Sequence, residues 1–376
     1  MNKTYLDYAA TTPLRKEVLE TMSETALEFW GNPSSQYASG RSARAELESA
    51  RRRIAECLAV NPKGVTFTSG ATEANNLIIR SNAYRLRNEG KGNHLITGDA
   101  EHPSVYEVFK SLEKEGFVVS YLPLDKSGTY LVEDLVEALN DETTLVSLMT
   151  VNNETGVIMP VQEIAALLRE KEIFFHTDYV QAAGKIDLNA GDIQADAFSI
   201  TAHKIYGPKG IGLAYQDPSI NLQALQLGGH QENSHRAGTE SLALASAFAK
   251  AIELAQAERL ENEAKLEELS NYLFSQLNSA NVEYELNATA KKYVGVHNIH
   301  FKGIKSSQAL IRLDMAGVEV SAGSACAAGA LEPSRVLVSM FGAEDPRVDE
   351  SLRLSLGIYN NKEDIDKFVE VIASLA

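Results

Sequence analysis

Cysteine is scarce in this sequence, which has only Cys57 and Cys326 among its 376 residues. Two cysteines exclude a disulfide framework and a cysteine-rich metal site, and they suit a reducing compartment. Long apolar runs are also missing, and the N-terminus has no signal-peptide pattern. We therefore expect a cytoplasmic protein with no membrane partner. Cys57 falls at an apolar position of a helical pattern, as expected for a small buried hydrophobic residue.

Positive charge is in deficit, with 35 Lys and Arg against 51 Asp and Glu and a formal net charge of −16. Binding to nucleic-acid phosphates needs clustered Lys and Arg, so we expect no direct nucleic-acid partner. Hydrophobic residues make up 44% of the chain and charged residues 23%, which is an ordinary globular composition. The length allows two domains, or one large domain with an appendage.

Short apolar runs alternate with helical patterns between residues 65 and 215. This alternation predicts an α/β fold with a mostly parallel sheet covered by helices. Gly210 to Tyr215 is expected to add a strand at the edge of the sheet. One long helical stretch, Glu240 to about Ser279, leads into a smaller α+β unit from Asn281 onward. The opening stretch, YLDYAATTP (5–13), begins too abruptly to form a strand of its own.

The segment from Asp196 to Gly212, DAFSITAHKIYGPKGIG, carries the clearest chemistry. Lys204 follows a strand-like run, and a partly buried lysine there can form a Schiff base, although most lysines are surface residues. Another apolar run, residues 173–177, ends at Asp178. Ligands gather at the carboxyl ends of parallel strands. A carboxylate and a lysine in such places match the pyridinium partner and the Schiff-base lysine of pyridoxal phosphate.

Three further features point to ligand binding, each with a simpler alternative. Ser69 to Glu73 open a helix after a strand, which makes either an anion site or a plain helix cap. His102 begins another helix, either as a cap or as a ring stacked on a cofactor. Arg353 lies in a strand-like run, where it either clamps a substrate carboxylate or forms a structural salt bridge.

Cys326 lies in SAGSACAAGALE (321–332), which is built almost wholly of Gly, Ala and Ser. Such a composition does not pack a core, so we expect the thiol to be reachable by solvent. Considered alone, it is most simply an inert surface thiol. Beside a pyridoxal-phosphate site, its thiolate could attack the sulfur of bound cysteine and carry that sulfur as a persulfide.

In combination these motifs resemble the class V aminotransferase family and, more narrowly, the NifS/IscS-type cysteine desulfurases, over nearly the whole chain. The motifs are YLDYAATTP, GNPSS, TSGATEANN, EHPSV, VNNETG, TDYVQAAGK, SITAHKIYGPKGIG, RAGT, SAGSACAAGALEPS and LRLSLG. The resemblance implies an aminotransferase-type pyridoxal-phosphate fold. An N-terminal arm (1–15) would join the small domain, residues 16–255 would form the cofactor-binding large domain, and residues 256–376 would form a small α+β domain carrying the Cys326 loop.

The resemblance also implies roles for single residues. Lys204 would form the internal aldimine, Asp178 would pair with the pyridine nitrogen, Gln181 would bond the phenolic oxygen, and His102 would stack on the ring and act in catalysis. Ala71, Thr72, Thr201 and His203 would hold the phosphate, and Thr239 would reach the phosphate of the neighbouring subunit of a homodimer. Asn153 would contact cofactor and substrate, Arg353 would hold the substrate, and Cys326 would be the persulfide-bearing nucleophile.

The activity implied is conversion of L-cysteine to L-alanine, with sulfur passed from Cys326 to a protein acceptor. The cysteine loop resembles the long-loop NifS/IscS branch, and Thr201 stands where much of that branch has serine. The sequence stops at Ala376 without the C-terminal extension of IscS-type members. The sulfur could therefore serve iron–sulfur cluster assembly on a scaffold, tRNA thiolation or thiamine synthesis, and the sequence leaves all three open. The one metal contact considered is Cys326 as a transient iron–sulfur ligand.

Two alternatives are kept. Another class V enzyme, a selenocysteine lyase or an aminotransferase, would use the same cofactor, but a transaminase has no need of a mobile thiol. A non-catalytic binding module could keep the fold, but the joint presence of Lys204, Asp178, His102 and Arg353 disfavours such decay.

Overall fold

Strands and helices alternate along the chain in the computed structural model, which describes residues 3–323 and 333–375. The strands are β1 (Thr4–Tyr5), β2 (Val65–Thr68), β3 (His94–Gly98), β4 (Val118–Leu122), β5 (Thr143–Ser147), β6 (Phe174–Asp178), β7 (Ala197–Thr201), β8 (Gly212–Gln216), β9 (Tyr284–Leu286), β10 (Val296–Phe301), β11 (Val318–Glu319) and β12 (Ser351–Ser355). The α-helices are α1 (Lys16–Glu28), α2 (Ala38–Leu58), α3 (Ala71–Asn88), α4 (Pro103–Lys114), α5 (Val132–Ala138), α6 (Val161–Glu170), α7 (Ala190–Ile193), α8 (Leu242–Ala257), α9 (Arg259–Ser279), α10 (Ser306–Met315), α11 (Arg335–Phe341), α12 (Arg347–Glu350) and α13 (Lys362–Ala373).

Seven strands form one sheet in the order β2-β8-β7-β6-β5-β3-β4. The strands from β7 to β4 pair in parallel, whereas β8 runs antiparallel to both β2 and β7. The mostly parallel sheet predicted from the sequence is confirmed. The expectation that residues 210–215 form an edge strand is wrong, because β8 lies inside the sheet. An apolar run in the sequence indicates that a strand is buried, and β8 and β7 are both buried. The run does not indicate which strands are neighbours in the sheet.

Both faces of this sheet are covered. Alternate residues of a strand point to opposite faces. In β6, Phe175 packs with apolar residues of α2, α6 and α8, and Phe174 packs with those of α3 and α4. This two-sided cover explains why the inner strands are continuous apolar runs.

A third apolar cluster belongs to the C-terminal third of the chain together with Leu6. There α9, α10 and α13 pack against the antiparallel sheet β12-β10-β9. The N-terminal segment joins this unit through β1, which pairs in parallel with β11 from Thr4 to Val318. The expectation that the opening stretch (5–13) forms no strand of its own is therefore wrong only at Tyr5, which pairs with Glu319, far along the sequence and outside any local pattern.

The helical stretch predicted from Glu240 to Ser279 is two helices, α8 and α9, which meet at Glu258. Apolar residues of α8 pack in the cluster on the large sheet, and those of α9 pack in the C-terminal cluster. We propose this break as the boundary between the two domains expected from the sequence. Within the described ranges, none of the helices combines the length and apolar character needed to cross a membrane.

Candidate active site

A cavity of about 620 Å³ lies at the carboxyl ends of the parallel strands. Ten of the residues predicted for the site line it: Ala71, Thr72, His102, Asn153, Asp178, Gln181, Thr201, His203, Lys204 and Arg353. The N-terminal segment adds Ala9, Ala10 and Thr11. Thr239 is exposed and does not line the cavity of its own chain, and Cys326 lies outside the described residues.

Lys204 ends the short 3-10 turn that follows β7. Its Nζ donates to the backbone oxygens of Ala9 and Ala10, at 2.5 and 2.6 Å. The neighbouring His203 has its Nδ1 3.1 Å from Thr11 Oγ1. Burial and the positive charges of Lys204 and Lys209 lower the pKa of His203 to about 4. The imidazole is therefore neutral at pH 7, and the amine is held against the N-terminal segment.

Asp178 is the last residue of β6 and is almost wholly buried. One carboxylate oxygen accepts from the Val180 amide and the other from Asn75 Nδ2, both at 3.0 Å. Hydrogen bonds of this kind fix the orientation of a carboxylate. The Asn75 amide also donates to Ser104 Oγ at 2.9 Å. Asn75 and Ser104 were given no role in the sequence, although both lie within the quoted motifs TSGATEANN and EHPSV.

His102 is the N-cap residue of α4, so the capping interpretation of its position is correct. Ser104 N donates to His102 Nδ1 at 3.1 Å, and Ser104 Oγ lies 2.7 Å from the same nitrogen. Because Nδ1 accepts, the neutral ring carries its proton on Nε2. Burial lowers the pKa of His102, against the opposing charge of Asp178. The ring also lines the cavity, so its capping role does not exclude a catalytic one.

The start of α3 forms the anion-binding end of the cavity. Gly70 precedes Ala71 and Thr72, whose backbone N–H groups fall in the first turn, where helices lack internal acceptors. A Cβ placed on Gly70 would project into open space, its nearest neighbour being Thr201 Oγ1 at 3.8 Å. Glu73, in the same turn, accepts from Ser69 N at 2.7 Å and pairs with Arg236 at 2.8 Å. This ion pair offsets the negative charge of Glu73 beside the anion site.

Arg353 lies in β12 with only 3% of its surface exposed. Its guanidinium donates to Asp7 Oδ1 at 2.6 Å and to the Asn153 backbone oxygen at 3.1 Å. Its Nε has no hydrogen-bond partner among the described residues. The structural salt bridge considered for Arg353 is therefore present, and the same side chain also lines the cavity.

The comparisons with known proteins agree with this architecture. The sequence pattern of the family described as aminotransferase class-V matches residues 4–368. A cysteine desulfurase IscS of Dictyoglomus turgidum is 42% identical over 98% of this chain and 93% of its own length. One of Clostridium botulinum is 43% identical over 100% of this chain and 95% of its own length. A solved NifS-like protein superposes with a TM-score of 0.91 at 32% identity, covering 99% of each chain.

Proposed function

We infer the roles of individual residues from one premise: the chain belongs to the class V aminotransferase family and is a pyridoxal-phosphate-dependent cysteine desulfurase. It converts L-cysteine to L-alanine and delivers the sulfur to an acceptor. The activity predicted from the sequence is confirmed by relatives at 42% and 43% identity over nearly the full chain. A selenocysteine lyase, an aminotransferase or a non-catalytic module is not favoured.

The cavity fits pyridoxal phosphate in the kind and position of its polar groups. The small residue Gly70 leaves room for an anion beside the start of α3 and Thr201. A fixed carboxylate, Asp178, and an amine, Lys204, lie in the same lining. When bound, the cofactor supplies an electron sink for the amino-acid substrate. The convergence of Asp178 and Lys204 on this one cavity is the observation that carries the assignment.

We propose that Lys204 binds the cofactor carbonyl and Asp178 the ring nitrogen, while Gln181 donates to the phenolic oxygen. Ala71, Thr72, Thr201 and His203 hold the phosphate. We assign His102 to the face of the ring, where Nε2 is the nitrogen available to exchange a proton because Nδ1 is engaged by Ser104.

We propose that Arg353 binds the substrate carboxylate, with Asn153 beside it. Asp7 and the Asn153 carbonyl hold two of the guanidinium nitrogens, which fixes the plane of the group. A preorganised guanidinium recognises a carboxylate at a smaller entropic cost than a mobile one. The pair with Asp7 therefore supports the substrate role of Arg353.

We propose Cys326 as the persulfide-bearing nucleophile. Two described residues that flank Cys326 in the sequence, Gly323 and Ser334, both lie beside Glu154. A Cβ on Gly323 would lie 3.2 Å from Glu154 Oε2, and Ser334 Oγ donates to the same oxygen at 2.5 Å. Glu154 follows Asn153 of the cavity lining, so Gly323 and Ser334 lie next to the proposed substrate site.

We propose a homodimer in which Thr239 reaches the cofactor phosphate of the second copy. Thr239 is exposed outside its own cavity. Large apolar side chains are exposed as well, at Leu27 (81%), Trp30 (76%) and Leu227 (85%). Burial of such residues commonly accompanies association. We assign the enzyme to the cytoplasm and its acceptor to the scaffold or thiolation proteins, with Cys326 as a transient cluster ligand.

Sulfide release from L-cysteine, measured with a reductant, tests the role of Cys326. Cys326→Ala is expected to keep the visible cofactor absorbance and to lose sulfide release. Cys57→Ala is the matched control, because Cys57 lies in α2, where burial raises the pKa of its thiol to about 11. Sulfide release at the wild-type rate by the Cys326→Ala enzyme would show that the nucleophile is assigned wrongly.

A further inference from the structure

Lys185 is a polar residue beside the cofactor cavity, and no role was assigned to it from the sequence. It closes the motif TDYVQAAGK, four residues after Gln181. Its Nζ donates to Gln181 Oε1 at 2.7 Å. Lys185 does not line the main cavity; it lines a small neighbouring cavity of about 40 Å³ together with Lys204. Lys185 therefore contacts a residue of the main cavity lining, Gln181, without lining that cavity itself.

The Gln181 amide lies between the two lysines. Its Nε2 donates to the Ala9 backbone oxygen at 3.0 Å, and the same oxygen accepts from Lys204 Nζ at 2.5 Å. The amide donor and the Lys204 amine thus converge on one atom. A group that binds Lys204 in this cavity necessarily lies close to the Gln181 amide.

An amide has a donor end and an acceptor end, and either can face a neighbour. A lysine side chain offers donors, so the contact with Lys185 requires Gln181 to turn its oxygen toward Lys185. The nitrogen then has to face Ala9 and Lys204. If the amide were turned over, its oxygen would face the Ala9 carbonyl oxygen, which offers no proton. Its nitrogen would face the Lys185 amine, which offers no acceptor when it is protonated.

We propose that Lys185 is a positioning residue: it holds the Gln181 amide so that Nε2 faces Lys204 and donates to the phenolic oxygen of the bound cofactor. The proposal rests on the role proposed above for Gln181. Burial and the charges of Lys204 and Arg353 lower the pKa of Lys185 to about 7. Both protonation states of its amine carry N–H groups, so the contact with Gln181 Oε1 persists in each.

The test uses the holoenzyme and the pH dependence of its visible absorbance, without any turnover. A hydrogen bond from an N–H group to the phenolic oxygen reduces the negative charge on that oxygen. The same charge otherwise stabilises the protonated form of the nitrogen that joins Lys204 to the cofactor, so the hydrogen bond lowers the pKa of that nitrogen. Lys185→Met is expected to remove this hydrogen bond and therefore to raise the pKa seen in the absorbance titration by about one unit. Lys185→Gln, which keeps an N–H donor without the charge, is expected to shift it less.

Lys292→Met is the matched control. Lys292 is another lysine whose pKa is lowered by burial, to about 8, and its Nζ lies 3.2 Å from His297 Nδ1. It does not line the cofactor cavity, so its replacement is expected to leave the absorbance titration unchanged. Thermal melting shows which variants are folded, and Lys185→Leu, which also lacks an N–H donor, carries the test if Lys185→Met does not fold.

A double variant separates an effect of Lys185 through the Gln181 amide from a direct effect of the Lys185 charge. In Gln181→Leu, the further change Lys185→Met is expected to add no shift, because Lys185 acts through the amide. A full additional shift in that background, or no shift from Lys185→Met alone, would overturn the proposal. If Gln181→Leu alone left the titration unchanged while Lys185→Met shifted it, the role of Gln181 itself would be refuted.

Discussion

The cavity has two walls of different construction. We call the side chains at the carboxyl ends of β6 and β7 the strand wall, namely Asp178, Thr201, His203 and Lys204. We call residues 7–12 the arm wall. The strand wall presents ionisable side chains fixed by strand ends. The arm wall presents mainly backbone oxygens, those of Ala9 and Ala10, to the Lys204 amine. One wall supplies the reactive groups, and the other holds them in place.

The largest expected effect comes from the strand wall. Lys204→Ala removes the amine that binds the cofactor, so the visible band of the lysine-bound cofactor should vanish. Desulfurase activity should fall by roughly a thousandfold or more. Lys209→Ala, a second lysine of the cavity lining, should keep the band. A coloured and fully active Lys204→Ala enzyme would contradict the division of labour between the walls.

The arm wall should respond in stability as well as in substrate binding. Asp7→Asn removes the carboxylate charge that pairs with the buried Arg353 guanidinium at 2.6 Å, which should lower the free energy of unfolding by about 3 kcal/mol. KM for L-cysteine should rise because the guanidinium is no longer held in its plane. Urea unfolding and steady-state kinetics measure the two effects.

Glu319→Gln is the control for that change. It removes an ion pair of the same N-terminal segment, Lys3 to Glu319, but one that is exposed to solvent. Such pairs contribute little to stability, so urea unfolding should be unaltered. Equal losses in Asp7→Asn and Glu319→Gln would mean that the Arg353 contact is not special.

The smallest expected effect is on the stability of the folded protein at acidic pH. Burial lowers the pKa of His176, in β6 beneath the strand wall, to about 3. The unfolded chain takes up a proton at this histidine below about pH 6.5, and the native state does not, so stability falls as pH falls. Between pH 6.5 and 5 the loss should be about 1.5 kcal/mol for this one residue.

Urea unfolding of wild type and His176→Gln at both pH values isolates that contribution. The variant should lose less stability than wild type over the interval, since glutamine does not titrate. The arm wall has no histidine. Identical losses in the two proteins would show that His176 is protonated in the native state.

Local sequence patterns predicted the strand wall far better than the arm wall. The runs ending at Asp178 and Thr201 are buried strands, and the side chains after them carry recognisable chemistry. The oxygens of Ala9 and Ala10 have no such signature, because every residue has a carbonyl. The same limit applies to β1, whose strand character depends on a partner more than 300 positions away.

Networks among buried polar groups were also outside the reach of the sequence. Asn75, Ser104 and Lys185 lie in motifs that were quoted, yet their partners are chosen by tertiary packing. The break at Glu258 was missed because the apolar periodicity continues on both sides of it.

The contact between Asp7 and Arg353 also has a consequence for biosynthesis, because these residues are 346 positions apart. At about 5–20 residues per second, the arm is synthesised roughly 20 to 70 s before its partner. A nascent chain can therefore assemble its central sheet before β12, which carries Arg353, is available to pair with Asp7 of the arm wall. The cofactor cavity becomes complete only after Arg353 has left the ribosome, so a chain that terminates before this residue cannot present a finished site.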